Sequence, residues 1–278
     1  MHLIFDFDGT ITQKDTIGVL VNSALDWHKE RGQDLASRWD DAVAAYIEDT
    51  KALKESFKPI EAERRSLEEE REFLAAQYEV DEASLNRVSA SGIFADLTAS
   101  DFYRFGQEAV VSGNVVIRPG FQELVTLAAK RSWKVHVISI NWSRHFIAGV
   151  LGSFDEKPII SNDPSDDGRI EGPKILQRRV TGTQDKLEAL QYVTANSADK
   201  VVYFGDSVND IECLLRGGIV IADNEYTSLL RTLRRVGVQT SRLSLQTANA
   251  NLTWAKDFTE FIKANDLDAS LGTNSGQS

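Results

Sequence analysis

Two carboxylates lie two positions apart in the segment Asp6-Phe-Asp8-Gly9-Thr10, directly after the apolar run that begins at His2. In an extended chain both could face forward only if the backbone turns at once, and Gly9 permits such a turn. Carboxylates suit a hard divalent cation, and they can also act as acid, base or nucleophile. A carboxylate pair alone is weak evidence, because such pairs are common on surfaces. Placed directly after an apolar strand, this pair is the first candidate for chemistry.

A serine and a lysine follow much later in the chain. Ser139 ends a predicted strand over residues 133–139, where a serine is often no more than a turn residue. Lys186 lies in the first turn of a helix predicted from Thr183, the expected N-cap, to residue 193. That turn favours acidic side chains over cations, so Lys186 is mildly misplaced for helix stability. A solvated surface lysine and a lysine kept for binding are both open at this point.

The fourth cluster, Gly205-Asp-Ser-Val-Asn-Asp210, follows a predicted strand over residues 200–204. Asp210 lies one helical turn after Asp206 and could be a helix-start carboxylate stabilised by the helix dipole. Asp206, beside a glycine at a strand end, is harder to explain in that way. Open α/β sheets bind ligands at the carboxyl ends of their strands, so residues in these positions are the ones to examine together.

Helices and strands alternate after residue 120. The predicted elements are helices over 121–130, 144–151 and 183–193, and strands over 133–139, 200–204 and 218–222. This alternation favours an α/β fold with a doubly wound, mostly parallel sheet flanked by helices. A turn-rich segment between residues 158–162 and 169–172 predicts a hairpin.

Residues 16–111 follow a helical pattern instead, which predicts an all-helical domain inserted after the first strand. The predicted boundaries are 1–14 for the first part of the α/β core, 15–113 for the insertion, 114–270 for the remainder of the core, and 271–278 for a polar, disordered tail. A chain of 278 residues is long enough for one good core and a modest accessory domain.

The composition limits the expected partners. The chain has 31 basic and 42 acidic residues, a formal charge of −11, so a nucleic-acid backbone would be repelled. No apolar run approaches the roughly 20 residues that span a bilayer, and no secretory signal precedes the first motif. A single cysteine, Cys213, allows no internal disulfide. These features predict a cytoplasmic protein without nucleic-acid or membrane partners, and they leave the oligomeric state open.

In this order, the D-x-D-G-T segment, the strand-end serine, the lysine and G-D-S-x-N-D resemble the four signature motifs of haloacid dehalogenase (HAD) superfamily hydrolases, and they span Asp6 to Asp210. The last motif and the helical insertion resemble most the phosphoserine phosphatase branch. The run D-F-D-G-T-I-T-Q-K-D over residues 6–15 is similar also to the enolase-phosphatase-like enzymes of methionine salvage. The resemblance implies a Rossmann-like core with a mobile helical cap, acting as a Mg²⁺-dependent phosphatase on a small phosphorylated metabolite.

The resemblance also implies roles for individual residues. Asp6 would be the nucleophile and a Mg²⁺ ligand, and Asp206 a second ligand. Asp8 would be the general acid and then the general base, with its main-chain carbonyl as a third ligand. Ser139 and Lys186 would hold phosphate oxygens.

Four further residues complete the implied site. The backbone N–H of Gly9 would assist in phosphate binding. Asp210 and Asn209 would orient Lys186 or a metal-bound water, and Thr10 would orient Asp8.

Three more residues are candidate substrate contacts. Asp15 either faces the substrate or caps the helix predicted to start at Thr16. Trp142 either lines the substrate pocket or packs in the core. Asn141 and Trp142 belong to Ile140-Asn-Trp-Ser143, where the phosphoserine phosphatases carry small glycines, and this departure argues against phosphoserine as the substrate.

Other activities of the superfamily fit to different degrees. Asp8 together with Asp206 favours phosphoryl transfer over attack on carbon, because the dehalogenases need neither. A phosphomutase or phosphotransferase would use the same residues and stays open. A non-catalytic protein on the same scaffold would have no need to keep all five of Asp6, Asp8, Ser139, Lys186 and Asp206.

Overall fold

The structure is a computed structural model that describes residues 1–152, 159–195, 197–245, 252–265 and 267. The β-strands are β1 (His2–Phe5), β2 (Lys134–Ile138), β3 (Ile159–Ile160), β4 (Asp163–Pro164), β5 (Ile170–Glu171), β6 (Val201–Gly205), β7 (Gly218–Ile221), β8 (Thr240–Arg242) and β9 (Leu252–Ala255). The α-helices are α1 (Ile17–Glu30), α2 (Ala36–Ser56), α3 (Leu67–Ser91), α4 (Ala99–Val111), α5 (Phe121–Lys130), α6 (Arg144–Leu151), α7 (Thr183–Thr194), α8 (Ile211–Leu214), α9 (Ser228–Arg235) and α10 (Phe258–Ala264). The predicted α/β class with a helical insertion is confirmed.

Seven of these strands form one sheet in the order β3-β2-β1-β6-β7-β9-β8. Every strand pair in this sheet is parallel. All four residues of β1 are buried, because the strand has neighbours on both sides and hydrophobic clusters on both faces. Leu3 and Phe5 belong to one cluster and Ile4 to the other, as the alternation of side chains along a strand requires. The carboxyl ends of β2, β1 and β6 therefore lie side by side at one edge of the sheet.

Helices α1 to α4 lie between β1 and β2 in the chain. Ser66 and Glu69 form a capping box at the start of α3, and Thr98 and Asp101 form another at the start of α4. Helix α3 is rich in charge, and its buried apolar residues join the two core clusters: Leu85 and Val88 belong to the cluster of Leu3, and Leu74 to that of Ile4. None of the described helices combines the length and the apolar character needed to cross a membrane.

Helix α4 packs directly on α6, backbone against backbone. A Cβ added at Gly106 would lie 2.3 Å from the carbonyl oxygen of Phe146, and one added at Gly149 would lie 2.0 Å from that of Tyr103. Real Cβ atoms never approach an oxygen so closely, so both glycines are needed for this contact. The α4–α6 contact fixes one end of the helical insertion to the α/β core.

Two local predictions were wrong. Ile159–Ile160 is a strand of the main sheet, parallel to β2, and the antiparallel pair is formed by β4 and β5 instead. β4 begins three positions after β3 ends, so the first strand of the hairpin is shifted along the chain. Residue 158 and the predicted tail 271–278 lie outside the described residues. Thr183 is the first helical residue of α7 rather than its N-cap, because Gly182 occupies the cap position.

Candidate active site

The loop after β1 turns sharply and brings the first motif to the edge of the sheet. Gly9 has φ of 75°, which an L-residue rarely adopts. A Cβ at this position would lie 2.3 Å from Oδ2 of Asp206. Gly9 is therefore required twice, for the turn and for the close approach of Asp206 from the neighbouring strand.

Lys186 reaches the same edge from α7. The side chain of Asp185 caps this helix, because Oδ2 accepts the backbone N–H groups of Thr181 and Gly182. Lys186 itself is 1% exposed, and its Nζ lies 2.8 Å from Oδ1 of Asp6 and 2.7 Å from Oδ1 of Asp210. A surface lysine is thereby excluded, because the ammonium group is buried between two carboxylates.

Asp206 and Asp210 follow β6 and lie beside Asp6. One carboxylate oxygen of each of these three residues lies within 4.8 Å of the others. Asp210 is fully buried and accepts hydrogen bonds from Lys186 and from the hydroxyl of Tyr203, each at 2.7 Å. Its other oxygen accepts from the loop that follows β6, including the backbone N–H of Asp206 at 3.2 Å. Asp210 therefore orients both Lys186 and the Asp206 loop.

Asp8 points to a separate set of donors. Its Oδ1 accepts the backbone N–H of Thr16 at 2.8 Å and the hydroxyl of Thr16 at 2.6 Å. Its Oδ2 accepts from Nδ2 of Asn141 at 2.8 Å. Burial, and after it the charge of Asp15, raises the pKa of Asp8 to about 6 against these three hydrogen bonds. A carboxyl group with this pKa can give and take a proton near neutral pH.

The site collects more negative than positive charge. Burial and then the charge of Asp210 raise the pKa of Asp6 well above its ordinary value, although Lys186 opposes the change. The same two causes raise the pKa of Asp206 to about 7. Burial alone would lower the pKa of Lys186, but Asp210 and Asp6 raise it above the ordinary value, so the ammonium stays charged.

One lysine cannot neutralise this group of buried carboxylates, so the donor set fits a divalent cation. The oxygens of Asp6 and Asp206 are hard ligands of the kind that Mg²⁺ prefers, and they lie close enough to share one ion. A cation there would restore the ionised form of both carboxyl groups.

Thr10 does not orient Asp8 as expected. Its hydroxyl donates to Oδ1 of Asp206 at 2.8 Å instead, because the turn at Gly9 carries Thr10 toward β6. The orientation of Asp8 comes from Thr16 and from Asn141, and Asn141 is fully buried and does not line the cavity. Asn141 therefore reaches the site through Asp8, and its direct contact with the substrate stays a prediction.

Sequence reasoning missed Arg118. This buried side chain donates to the carbonyl oxygens of Thr10 at 3.0 Å and Gly9 at 2.7 Å, and it pairs with Asp223 at 3.0 Å. It thus holds the loop after β1 from behind. The sequence signal was present, since an arginine before Pro-Gly at a domain boundary has no helix or strand role of its own.

Four predicted residues take positions around these groups. Ser139 is fully buried at the end of β2, where its hydroxyl accepts the backbone N–H of Asn141 at 3.0 Å. The side chain of Asp15 accepts the N–H of Ile17 at 2.9 Å, so it stabilises the start of α1 and also lines the cavity. Trp142 and Asn209 line the cavity too.

The cavity has a volume of about 440 Å³ and opens onto Asp6, Asp8, Lys186 and Asp206. Its opposite walls come from α2 and α3 of the helical insertion. The two parts of the chain therefore build one site together, with Asp6, Asp8 and Asp206 on the core side.

Solved structures share the fold of this chain. A HAD-family hydrolase from Salmonella enterica subsp. enterica serovar Typhi is similar with a TM-score of 0.54 and 13% identity, over 95% of this chain and 69% of that chain. A probable phosphoserine phosphatase from Vibrio cholerae is similar with a TM-score of 0.51 and 15% identity, over 96% of this chain and 67% of that chain. At these identities the likeness shows a shared fold.

Sequence comparison gives the family. The bifunctional TH2 protein, mitochondrial, of Arabidopsis thaliana is 24% identical over 256 residues, which cover 84% of this chain and 41% of that protein. This chain thus spans about two fifths of the length of that relative. The model of the haloacid dehalogenase-like hydrolases matches residues 3–215, from β1 through α8, and the chain therefore belongs to this family.

Proposed function

We propose that this protein is a phosphatase that hydrolyses phosphate monoesters of small molecules, with Asp6 as the nucleophile. One observation carries the proposal. A buried lysine lies 2.8 Å from Asp6, and the oxygens of Asp6, Asp206 and Asp210 meet within 4.8 Å beside it. A phosphate monoester dianion repels an attacking carboxylate, so such a reaction needs positive charge at the nucleophile.

The first step transfers the phosphoryl group to the protein. Asp6 attacks phosphorus, the bond between phosphorus and the leaving oxygen breaks, and Asp8 gives its proton to that oxygen. The pKa of Asp8, raised to about 6, suits a group that must be protonated at this point and ionised in the next.

The second step returns the protein to its starting state. Asp8 takes a proton from water while the water oxygen attacks phosphorus, the bond to Asp6 breaks, and inorganic phosphate leaves. Ser139, Lys186 and the N–H of Gly9 stabilise the phosphate oxygens in both steps.

We further propose that Asp6, Asp206 and the main-chain carbonyl of Asp8 hold Mg²⁺. The ion supplies positive charge to the phosphate and to the buried carboxylates. We also propose that the protein is cytoplasmic. Residues 15–113 would form the cap over the core, which consists of segments 1–14 and 114–270.

Turnover of p-nitrophenyl phosphate tests the nucleophile. We expect Asp6→Asn to abolish turnover, because an amide cannot form the phosphoryl bond, while Asp41→Asn retains it. Asp41 is an exposed residue of α2 outside the cavity, so Asp41→Asn removes the same charge at a position that has no role in the site. Full activity of a folded Asp6→Asn protein would refute the assignment.

Metal dependence has a readout besides activity. We expect Mg²⁺ to raise the melting temperature of the EDTA-treated wild type, because the ion relieves repulsion among buried carboxylates. Asp206→Asn should reduce this rise, since it removes one ligand. Activity that survives exhaustive EDTA treatment, together with an unchanged melting temperature, would refute the metal site.

Product analysis separates hydrolysis from transfer. With an alcohol acceptor in excess, a phosphatase releases inorganic phosphate, whereas a mutase or phosphotransferase forms a new ester from the same phosphoryl group.

A further inference from the structure

The cavity lining from the helical insertion is less polar than the lining at the carboxyl ends of the strands. Most of the lining contributed by α2 and α3 of the helical insertion is apolar, with Trp39, Ala42 and Val43 from α2, and its polar members are Tyr46, Asp81 and Ser84. Further apolar members of the lining are Ile17, Leu85, Val88, Ile140, Trp142 and Val180. A small polar leaving group such as an amino acid would leave this surface in contact with water. An apolar leaving group would cover it and gain the corresponding hydrophobic free energy.

Two tryptophans give the wall a defined shape. The rings of Trp39 and Trp142 meet edge to face, with centroids 6.2 Å apart and an interplanar angle of 75°. Phe94, which is fully buried, also packs edge to face against Trp142, with ring centroids 6.3 Å apart. Two indoles held in this way offer a rigid aromatic corner, which suits a flat ring better than a flexible chain.

The cavity also has a negative charge away from the reacting groups. Asp81 of α3 lines it beside Tyr46 of α2. Its Oδ1 accepts from the Tyr46 hydroxyl at 3.1 Å and from Nε2 of Gln77 at 2.9 Å, and no described residue donates to Oδ2. Burial raises the pKa of Asp81, against these two hydrogen bonds. A carboxylate in this position gains from a cation that the protein itself does not provide.

The positive charge in the same lining is already paired. Among the described residues that form the cavity, Lys186 is the only cation, and Asp6 and Asp210 already hold it. Asp15, which is exposed, adds a further carboxylate to the lining and forms no ion pair with a described residue. An anionic leaving group, such as one with a carboxylate, would meet only repulsion here. A cationic ring would be attracted both by the carboxylates and by the faces of the indoles.

We propose that the cavity selects phosphate monoesters whose leaving alcohol carries a flat, positively charged ring, with Asp81 as the residue that recognises the charge. The proposal rests on the phosphatase function proposed above and names its substrate class. The ring lies against Trp39 and Trp142, and the phosphate lies at Asp6.

Three synthetic esters of similar size test the charge. These are the phosphate esters of N-(2-hydroxyethyl)pyridinium, of 2-phenylethanol and of 2-(4-carboxyphenyl)ethanol, with a positive, a neutral and a negative ring. We expect kcat/KM to fall in that order, by about tenfold from the pyridinium to the phenyl ester, as for one charge pair at a partly solvated site. Equal values for the first two esters would overturn the proposal. Phosphocholine, a cation without a ring, should be a poorer substrate than the pyridinium ester, and equal values would overturn the role of the indoles.

Asp81→Asn assigns the charge recognition to one residue. The amide oxygen can still accept the bonds from Tyr46 and Gln77, so the variant removes the charge and keeps the packing. We expect the preference for the pyridinium ester over the 2-phenylethyl ester to disappear, so that the two kcat/KM values become equal within about twofold. Asp41→Asn is the matched control, and it should keep the preference. A preference that survives Asp81→Asn would refute the assignment of Asp81.

A binding measurement separates this proposal from the phosphatase function. Non-hydrolysable phosphonates of the pyridinium and phenyl rings need no turnover, and calorimetry gives their Kd values. Tighter binding of the pyridinium compound without hydrolysis of any ester would support the ring specificity and refute the phosphatase. Hydrolysis of all esters without any preference in rate or Kd would support the phosphatase function and refute the ring specificity.

Discussion

Replacing Asn141 with alanine should impair the protein only where a proton must be given to the leaving group. Asn141 is fully buried at the end of β2, and its Nδ2 donates to Oδ2 of Asp8 at 2.8 Å. The same Nδ2 lies 3.1 Å from the hydroxyl of Thr16, which holds the other oxygen of Asp8. Asn141 is thus a positioning residue that acts through Asp8.

The size of the effect follows from the bond that is lost. A hydrogen bond to a charged group contributes about 1.5–3 kcal/mol, which corresponds to about 10- to 150-fold in rate. Thr16 keeps two donors on Oδ1 in the variant, at 2.8 and 2.6 Å. We therefore expect the lower end of this range, a loss of about tenfold in kcat/KM for an alkyl phosphate.

Leaving groups of different basicity form the assay. An alkoxide must be protonated as it departs, so its ester depends on Asp8 in the first step, which kcat/KM reports. p-Nitrophenolate is a stable anion, so its ester needs little help from Asp8. We expect Asn141→Ala to reduce kcat/KM about tenfold for 2-phenylethyl phosphate and less than about threefold for p-nitrophenyl phosphate.

Two further variants provide a second test of the contacts to Asp8 and a control. Thr16→Val removes the hydroxyl donor to Asp8 and should give the same pattern, whereas Asn22→Ala, at an exposed position of α1, should leave both esters unchanged. An equal loss for both esters in Asn141→Ala would refute the reasoning, because a general distortion of the site does not distinguish leaving groups.

Two other predictions concern stability. Burial, followed by the neighbouring His2 and Lys134, lowers the pKa of His136 to about 4, so the unfolded chain, with a pKa of about 6.5, takes up this proton first. Stability is then complete above about pH 6.5 and falls by about 2 kcal/mol between pH 7 and pH 5 through this group. His136→Phe should lack that loss in urea unfolding, and a difference between wild type and variant that does not change with pH would contradict it. Gly149→Ala should cost about 3 kcal/mol, because its Cβ would lie 2.0 Å from the carbonyl oxygen of Tyr103. Gly18→Ala, in α1 with no atom within 4 Å of the new Cβ, should stabilise by up to about 1 kcal/mol, and equal effects of the two would contradict the α4–α6 contact.

The residues at strand ends could be located from the sequence because parallel strands place their carboxyl ends at one edge. Asp6 and Asp206 are 200 positions apart, yet each follows an apolar strand, and β1 and β6 are neighbours in the sheet. Lys186 was identified from a conflict, as a cation in a helical turn that favours acids. Its burial against Asp6 and Asp210 explains that conflict, since ion pairing stabilises a position that the helix alone disfavours.

The hydrogen bonds inside the loops could not be predicted in the same way. Thr10 and Thr16 are both near Asp8 in sequence, and each could serve it. The choice depends on the turn at Gly9, which directs Thr10 to Asp206 and leaves Asp8 to Thr16. Such a turn is a property of several dihedral angles together, so residue type and spacing do not determine which acceptor a hydroxyl reaches.

The cavity walls were not predictable because they depend on how two parts of the chain pack. Trp39 and Tyr46 have helical spacing, which predicts that they share one face of α2. The spacing does not predict which part of the chain this face packs against. In the structure, this face packs against Trp142 of the loop after β2, about 100 positions further along the chain. Trp142 fulfils both alternatives, core packing and cavity lining, because its ring packs against Phe94 and the residue also lines the cavity.

The contacts of the helical insertion also restrict how a cap could open. At α4 the insertion meets α6 backbone to backbone, and Gly106 and Gly149 leave no space for sliding. At α3 the contacts with the core are mixed: Arg71 pairs with Glu212, and Glu82 contacts Arg179 and Thr181, while Leu74 is buried in the hydrophobic cluster of Ile4 and Glu70 pairs with Arg235. Ion pairs near the surface exchange readily for water, whereas a close-packed glycine contact does not. We therefore expect α4 to remain on the core and access to the cavity to come through movement of α2, which would separate Trp39 from Trp142 when the site opens.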